Sequence, residues 1–344
     1  MTSPARIKND DSANPRARSV VRTHSRAQRS KREQPVNDHL PVADKICALS
    51  SCKHADYDAI DSAEESKLVM RCVSLVLIVI SLSIVSTARA AFTNNILLTG
   101  YWPPTNEMVR RFNNNPTQNP DGWIGGNWEG RGYNVYSFFP EFPGGVGANP
   151  KGNGDLEVDY QDTSADWVRI TNMIHPVAII TFSRGSNGTS WELEYRAKNR
   201  ASWVNDYVAP LQPTPAPPDS SVPAETIRYS TLPMTQIYDA LRDQLPGINP
   251  FIDYDSPNLG GGFLSEFIGY HGMWYQSMHA SADDPYQCFA AGHIHVGINT
   301  PLFGAMAATD VTLREVTAYL NTIVPEPGIG AIVIAALGVT RRRR

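Results

Sequence analysis

The chain has 344 residues with a formal net charge of −4, and its hydrophobic share of 42% is ordinary for a folded protein. Its basic residues are concentrated towards the two ends, so residues 91–340 carry 12 Lys and Arg against 24 Asp and Glu, a formal charge of −12. This acidic balance excludes nucleic acid as a partner, because neutralising phosphates needs a basic surface. Cys288 is the only cysteine of this segment, which excludes an intrachain disulfide there.

The first 90 residues read as two segments that precede the folded core. Residues 1–69 are polar and lack apolar periodicity, so we expect them to be disordered or a mis-annotated extension. Residues 70–90 contain an apolar run from Val73 to Val85 and a small-residue exit at Ala88–Ala90. This pattern is typical of a secretory signal peptide, which makes Met70 the expected start. The alternative is a long cytoplasmic region ahead of the apolar run.

The C-terminal segment, residues 324–344, predicts the location of the protein. It contains Val-Pro-Glu-Pro, then an apolar run of about a dozen residues, then four arginines. This arrangement is similar to the PEP-CTERM sorting signal of exported bacterial proteins, and its terminal arginines fit the positive-inside rule. It predicts contact with the membrane, processing by a sortase-like enzyme, and export to the bacterial cell surface, envelope or extracellular matrix. An ordinary tail anchor would predict the same location.

Residues 91–323 remain as the core, which has the length of a single domain. Strands that alternate with helices predict an α/β fold with a largely parallel sheet. The predicted elements, in chain order, are a strand at Ile96–Thr99, a strand from Asn134, a helix at Asp162–Met173 capped by Thr163 or Ser164, a strand at Pro176–Phe182, a Pro-rich loop at 209–224, helices at Thr235–Leu245 and Gly262–Tyr275, a strand at 293–298, and a helix at Asp310–Ile323 capped by Thr309 or Asp310.

Three polar residues on separate elements of the core form a candidate catalytic set. Ser265 lies in the first turn of a helix that follows three glycines, where the helix dipole would stabilise an oxyanion. His295 lies on a late strand and Glu194 follows a loop rich in Gly, Ser and Asn. A histidine can take the serine proton and a carboxylate can orient the histidine. Spacing alone does not bring the three together.

Five stretches of the core resemble, in the same order, stretches of the pyroglutamyl peptidase (pyrrolidone-carboxylate peptidase) family, and they span about residues 95–322. The first, ILLTGYWPP, is similar to the family's ILLTGFEPF. The others are PVAIITFSRGSNGTSWELEYRAKN, RYSTLPMTQIYDAL, Ser256–Tyr270 and GHIHV. The resemblance implies one three-layer α/β/α domain of the phosphorylase/hydrolase-like type, with a twisted mixed sheet.

The resemblance also implies roles for individual residues. Glu194 and His295 fall on the family's catalytic glutamate and histidine, while Ser265 stands where the family has its nucleophilic cysteine. A serine must lose its proton during attack, so it depends more than a thiolate on the alignment of its base. The implied function is an exported peptidase or amidohydrolase. The alternative is a catalytically inactive surface protein, or a binding protein, on the same fold.

Substrate contacts are implied at three positions, Tyr101, Arg184 and Leu264. Arg184 replaces the family's glutamine, and a guanidinium favours a carboxylate or phosphate over a neutral lactam. The expected substrate is therefore a peptide or small amide, without strict pyroglutamyl specificity. No cofactor is implied, and the family's self-association allows a homo-oligomer.

Two further hypotheses concern metal binding and a second nucleophile. His293 and His295 share a face of their strand and could bind zinc together with nearby side chains. Those side chains are His271, His279, Asp283 and Asp284. They follow no recognised ligand spacing, so the sequence predicts no metal. Cys288 could be a relocated nucleophile, but a free cysteine is more often buried and inert.

Overall fold

A six-stranded mixed sheet forms the centre of the computed structural model, which describes residues 92–186, 188–254 and 259–324. The strand order is β2-β1-β5-β10-β6-β9, and every neighbouring pair is parallel except β10 and β6. The strands are β1 (Asn95–Thr99), β2 (Asn134–Phe138), β5 (Ala178–Arg184), β6 (Ser190–Glu194), β9 (Asn249–Asp253) and β10 (Ala290–Val296). Two small ribbons pair β3 (Pro140–Glu141) with β4 (Asn153–Gly154), and β7 (Arg196–Lys198) with β8 (Ile227–Tyr229).

Helices cover both faces of this sheet, as the sequence predicts for a three-layer α/β/α fold. The α-helices of the described residues are α1 (Thr105–Val109), α2 (Tyr160–Ile174), α3 (Met234–Gln244), α4 (Leu264–Met278) and α5 (Leu302–Ile323). Apolar side chains of α2 and α4 pack in one core cluster, and those of α1, α3 and α5 in another. None of the described helices has the length and apolarity that crossing a bilayer requires.

Side chains of the central strands alternate between the two layers. In β5, Ile179 packs in the cluster beneath α2 and α4, while Ile180 and Phe182 pack in the opposite cluster. This period of two is what an extended strand imposes, and it explains the continuous apolar run of β5, because both faces are covered.

Two helix starts differ from the sequence prediction. Helix α2 is capped by Asp159, whose carboxylate accepts hydrogen bonds from the backbone N–H groups of Gln161 and Asp162, so the caps predicted at Thr163 and Ser164 are wrong. Their hydroxyls bond to backbone carbonyls instead.

The last helix, α5, begins at Leu302, immediately after Pro301, and not at Asp310. The predicted cap Thr309 lies inside the helix, where its hydroxyl donates to the carbonyl of Ala305. The predicted signal peptide lies outside the described residues, as does the C-terminal segment from residue 325 onward.

Candidate active site

Six polar side chains stand in two rows at the carboxyl end of β10, on the face that α4 covers. Each row crosses β5, β10 and β6, because strand register aligns one residue from each. The two rows are Thr181, His293, Glu194 and Ser183, His295, Glu192. All but Glu192, which is half-buried, are buried. Such a concentration of polar groups inside a core indicates a function, since each must find a partner.

His295 and Glu194 form the central contact of this site. The Nδ1 atom of His295 lies 2.8 Å from Oε1 of Glu194 and 3.7 Å from Oε2 of Glu192. Burial would lower the pKa of His295, but the hydrogen bond to Glu194 and the charges of Glu194, Glu192 and Asp253 outweigh it, and the pKa is raised. A proton held on Nδ1 by Glu194 leaves the lone pair of Nε2 free to accept another.

His293 supports its neighbour instead of joining it in chemistry. Its Nδ1 lies 2.8 Å from the hydroxyl of Thr181 and its Nε2 lies 2.7 Å from the hydroxyl of Ser183. Burial, with the nearby charge of His295, holds the pKa of His293 well below its usual value, so the ring is neutral. Its edge packs against the ring of His295, with 4.8 Å between ring centroids. His293 is therefore a buried structural residue that packs against His295.

The histidine and aspartate set considered for zinc does not assemble. Both ring nitrogens of His293 are already bonded, and Nδ1 of His271 donates to the carbonyl of Phe267 inside α4. His279 pairs with Asp284 at 3.0 Å, beyond the other end of that helix.

Cys288 is fully buried, and burial raises the pKa of its thiol far above the ordinary value. It is the inert cysteine that the sequence favours.

Ser265 lies in the first turn of α4, at the same end of the sheet as His295. A Cβ built on Gly269 would lie 2.9 Å from Cγ of His293, and one on Gly272 would lie 3.5 Å from Cγ2 of Thr181. These contacts fix α4 on the polar rows. Gly272 also approaches Ile179, which lies two residues nearer the amino end of β5 than the level of His293, so α4 runs from the carboxyl ends of the strands towards their amino ends.

The rise along the helix from Gly269 to Ser265 is similar to the rise along the strand from His293 to His295. Four helical residues, from Gly269 back to Ser265, rise about 6 Å. Two strand residues, from His293 on to His295, rise about 6.6 Å. Ser265 is half-buried, and its hydroxyl makes no hydrogen bond with His295 or any other described residue. The structure thus joins His295 to Glu194 and puts Ser265 in the first turn of the helix that covers this face of the sheet, without a Ser–His hydrogen bond.

Glu266 fixes the start of α4 and was not singled out from the sequence. Its carboxylate accepts hydrogen bonds from the backbone N–H of Gly262 at 2.8 Å, from that of Lys198 at 3.1 Å, and from Nε of Arg200 at 2.6 Å. Burial raises the pKa of Glu266 to about 7, although the charge of Arg200 opposes this. Lys198 belongs to β7, which follows Glu194 and the end of β6. Glu266 therefore links the first turn of α4, which carries Ser265, to the segment after Glu194.

The three residues implied in substrate binding lie in different environments. Tyr101 and Leu264 are 2% and 1% exposed, and the hydroxyl of Tyr101 is bonded to that of Thr163 at 2.5 Å. Neither side chain presents a surface to a ligand in this structure, so their role stays a prediction. Arg184 is half-buried, with its guanidinium carbon 4.5 Å from the ring centroid of Trp102.

Arg184 also differs from most basic residues of the core because it forms no ion pair with a described residue. Among the described residues, ten of the twelve basic side chains between positions 91 and 340 form ion pairs, and the exceptions are Arg184 and Arg196. The Trp102 ring beneath the guanidinium packs with Tyr207 and Phe263, at 6.0 and 6.4 Å between centroids. Tyr207 comes from the segment that leads into the Pro-rich loop. An unpaired cation on an aromatic platform is suited to an anionic group.

Comparisons with known proteins give similarity at the level of solved structures alone. No family model matches the chain, and no curated protein matches it by sequence. Pyroglutamyl peptidase I from Bacillus amyloliquefaciens is 16% identical over 65% of this chain and 97% of that chain, with a TM-score of 0.45. Pyrrolidone carboxyl peptidase from Thermococcus litoralis is 18% identical over 68% and 98%, with a TM-score of 0.45. At these values the likeness assigns no activity to this chain.

Proposed function

We propose that this chain is a hydrolase that cleaves a peptide or small amide bond, with Ser265 as nucleophile, His295 as general base and Glu194 as the group that orients the base. The observation that carries the proposal is the buried 2.8 Å contact between His295 and Glu194, on a strand that α4 packs against. The sequence resemblance supports it independently, because the same three positions fall on the family's catalytic residues.

The geometry supports a stepwise acyl transfer. Glu194 holds the Nδ1 proton of His295, so Nε2 accepts the proton of Ser265 as its Oγ attacks the carbonyl carbon. The first turn of α4 offers backbone N–H groups and the positive end of the helix dipole to the oxyanion. His295 returns the proton to the leaving amine, and water then hydrolyses the ester on Ser265 with the same base.

Arg184 is proposed to select substrates that carry a carboxylate near the scissile bond. Support comes from its unpaired guanidinium, which lies over Trp102 at the carboxyl end of β5. Arg184 pairs in the sheet with Val296, the last residue of β10, which directly follows His295. A charge-assisted, bidentate contact there would orient the acyl group towards the serine turn.

Export to the bacterial surface is a further part of the proposal, supported by the signal-like residues 70–90 and the PEP-CTERM-like segment from residue 324. A homo-oligomer is compatible with this proposal. One observation favours the alternative of an inactive surface protein: the Ser265 hydroxyl is not bonded to His295. Catalytic hydrogen bonds often tighten only with substrate bound, so this does not oppose catalysis.

A fluorophosphonate probe tests the proposal, because it reacts covalently with an activated serine. We expect one adduct per chain, mapped by mass spectrometry to Ser265, and none in Ser265→Ala. Ser281→Ala, which removes an exposed hydroxyl beyond the end of α4, is the matched control and should label normally. A folded protein that stays unlabelled, or one labelled at another serine, would exclude this assignment.

A further inference from the structure

Glu192, Glu194 and His295 bring three potential metal ligands together on two adjacent strands. One atom from each, two carboxylate oxygens and Nδ1 of the imidazole, lie within 4.8 Å of one another. The measured pairs are 2.8 Å from Nδ1 to Glu194 and 3.7 Å from Nδ1 to Glu192. The two glutamates are two residues apart on β6, so they share a face of the strand and point towards the same imidazole.

These spacings suit a tetrahedral ion. Nitrogen and oxygen ligands lie about 2.0–2.2 Å from zinc, which places neighbouring ligand atoms of a tetrahedron roughly 3.3–3.5 Å apart. The separation from Nδ1 to Glu194 is about 0.5–0.7 Å shorter than that and the one to Glu192 about 0.2–0.4 Å longer, differences that side-chain rotations can supply. Three protein ligands would leave the fourth position of a tetrahedral zinc ion to a water molecule.

The charge balance of the cluster also favours a cation. Glu192 accepts no hydrogen bond from any described residue, although its side chain is only 17% exposed. Among the described residues, no lysine or arginine pairs with either Glu192 or Glu194. Two carboxylates therefore share one imidazole, which carries at most a single positive charge. The only ion-pair partner of Glu192 among the described residues is thus an imidazole 3.7 Å away, which it shares with Glu194.

We propose that Glu192, Glu194 and His295 form a binding site for a zinc-class divalent cation that takes the place of the Nδ1 proton and switches off the histidine as a base. The binding site stands on the geometry alone, whereas the effect on catalysis rests on the proposed function. Imidazole with carboxylates selects zinc or a neighbouring transition metal over magnesium, which prefers oxygen ligands and retains its waters.

The proton count explains the inhibition. If His295 is charged before binding, the Nδ1 proton leaves to solvent and the metal takes its lone pair. If it is neutral with the proton on Nδ1, that proton moves to Nε2. Either way the metal-bound neutral ring carries its remaining proton on Nε2, the atom that would otherwise accept the proton of Ser265. Glu194 meanwhile becomes a metal ligand and no longer holds the histidine proton.

Calorimetric titration of zinc chloride into the full-length protein tests the site directly. We expect Glu192→Gln to weaken the tightest zinc binding at least tenfold, since even indirect partners of metal ligands change affinity by about 10–100-fold. His279→Asn, which removes the separate pair with Asp284, is the matched control and should keep the wild-type affinity. Glu192→Asp is the second variant, since it keeps the charge and shortens the reach, and it should also weaken binding.

Cobalt in place of zinc adds a spectroscopic readout. A tetrahedral nitrogen and oxygen site predicts visible absorption without a thiolate charge-transfer band, which separates this site from the cysteines near the N-terminus. The proposed site would be overturned if folded Glu192→Gln bound zinc as tightly as the wild type. It would also be overturned if the cobalt spectrum of Glu192→Gln matched that of the wild type. Affinity retained by Glu192→Asp would show that charge alone attracts the ion and would overturn the ligand assignment.

The regulatory step is tested by the rate of fluorophosphonate labelling with and without zinc. We expect zinc to slow labelling of the wild type and of His279→Asn by at least tenfold. The labelling rate of Glu192→Gln with zinc should stay close to its rate without zinc. Zinc binding without slower labelling would overturn the switch. If the metal-free protein does not label at all, the proposed hydrolase fails, while the titration still decides the metal site.

Discussion

The two faces of the central sheet carry opposite chemistry on the same strands. Towards α1, α3 and α5 the strands β5, β10 and β6 present a set of apolar side chains that pack in one core cluster, and towards α4 they present hydroxyls, imidazoles and carboxylates. The apolar set contains Ile180, Phe182, Leu193, Ile294 and Val296, and the polar set is the two rows described above. Both sets are buried, so burial alone does not distinguish the core from the site.

The apolar and polar sets occupy opposite layers of the same strands. Each of these five apolar residues lies one position from a polar residue of the two rows, because neighbours in a strand point to opposite layers. One layer can thus hold the sheet together while the other holds groups that are costly to bury. Substitutions on the two faces should therefore separate cleanly into effects on stability and effects on chemistry.

The largest effect is expected from the polar face, at His295. Replacing it with Asn removes the base but keeps a polar side chain, so we expect fluorophosphonate labelling to slow by about 10²–10⁴-fold, the usual contribution of general base catalysis. The measurement is the labelling rate, with the midpoint of denaturant unfolding recorded alongside. Labelling of His295→Asn at the wild-type rate would contradict the assigned role.

Phe182→Ala makes the matching change on the apolar face. Phe182 is fully buried and its ring packs against that of Trp191, so its loss should lower the free energy of unfolding by about 3–5 kcal/mol. Guanidinium unfolding measures this. The control is Phe303→Ala, because Phe303 is 83% exposed and its removal should change stability by less than about 0.5 kcal/mol. Similar losses in both variants would remove the distinction between core and surface.

Glu266 should give the site end of α4 a pH-dependent stability. Its pKa of about 7 exceeds the usual 4.5, so the folded state holds the proton more tightly than the unfolded state. The free energy of unfolding should consequently fall, by up to about 3 kcal/mol, as pH rises from about 4.5 to about 7. Unfolding curves at both pH values measure this, and Glu266→Gln should flatten the dependence. A steeper dependence in that variant would reverse the assignment.

Gly269→Ala tests how closely α4 approaches the polar rows. An alanine in a helix normally stabilises by roughly 1 kcal/mol over glycine, but here its Cβ would lie 2.9 Å from the ring of His293. We expect the clash to dominate and the variant to lose about 1–3 kcal/mol, as overpacked cores do. Gly247→Ala, with open space around its Cα, should show no such loss. A stabilised Gly269→Ala would mean that helix and strand separate easily.

The smallest effect is expected at Arg184. Charge-assisted hydrogen bonds contribute about 1.5–3 kcal/mol, so Arg184→Gln should weaken protection from labelling by an anionic ligand roughly tenfold or more. N-acetylglutamate is a suitable ligand, and its uncharged amide serves as the control that the substitution should leave unchanged. Equal weakening for both compounds would show that Arg184 shapes the pocket without reading charge.

The sequence predicts the apolar strands well and the polar site in part. Continuous apolar runs at β1 and β5 have no other stable location than a covered sheet, so these strands were placed within one or two residues. The sequence does not predict strands β6 and β9, because glutamates interrupt the apolar pattern of SWELE and NPFID is short and opens with Asn and Pro. The residue-by-residue resemblance was needed to pair Glu194 with His295.

The role of Glu192 could not be predicted from its local sequence. Its proximity to His295 depends on β6 lying antiparallel beside β10, which is a tertiary pairing between segments far apart in the chain. The start of α5 was misplaced for a similar reason. Its first turns, from Leu302 to Thr309, are rich in small residues whose packing is set by contacts with other elements, including α3 and α1.

The position of β10 has a consequence for how the protein is made. It lies between β5 and β6 in the sheet, yet it follows both in the chain, and the backbone N–H of Gly185, directly after β5, donates to the carbonyl of Val296 at 2.8 Å. On the ribosome, β5 and β6 emerge long before the strand that must separate them. Folding driven by such long-range pairing is slow and cannot finish during early translation. A nascent chain that stalls before residue 290 would lack both the middle of the sheet and its histidines, so a truncated product should be cleared by proteases without ever gaining partial activity.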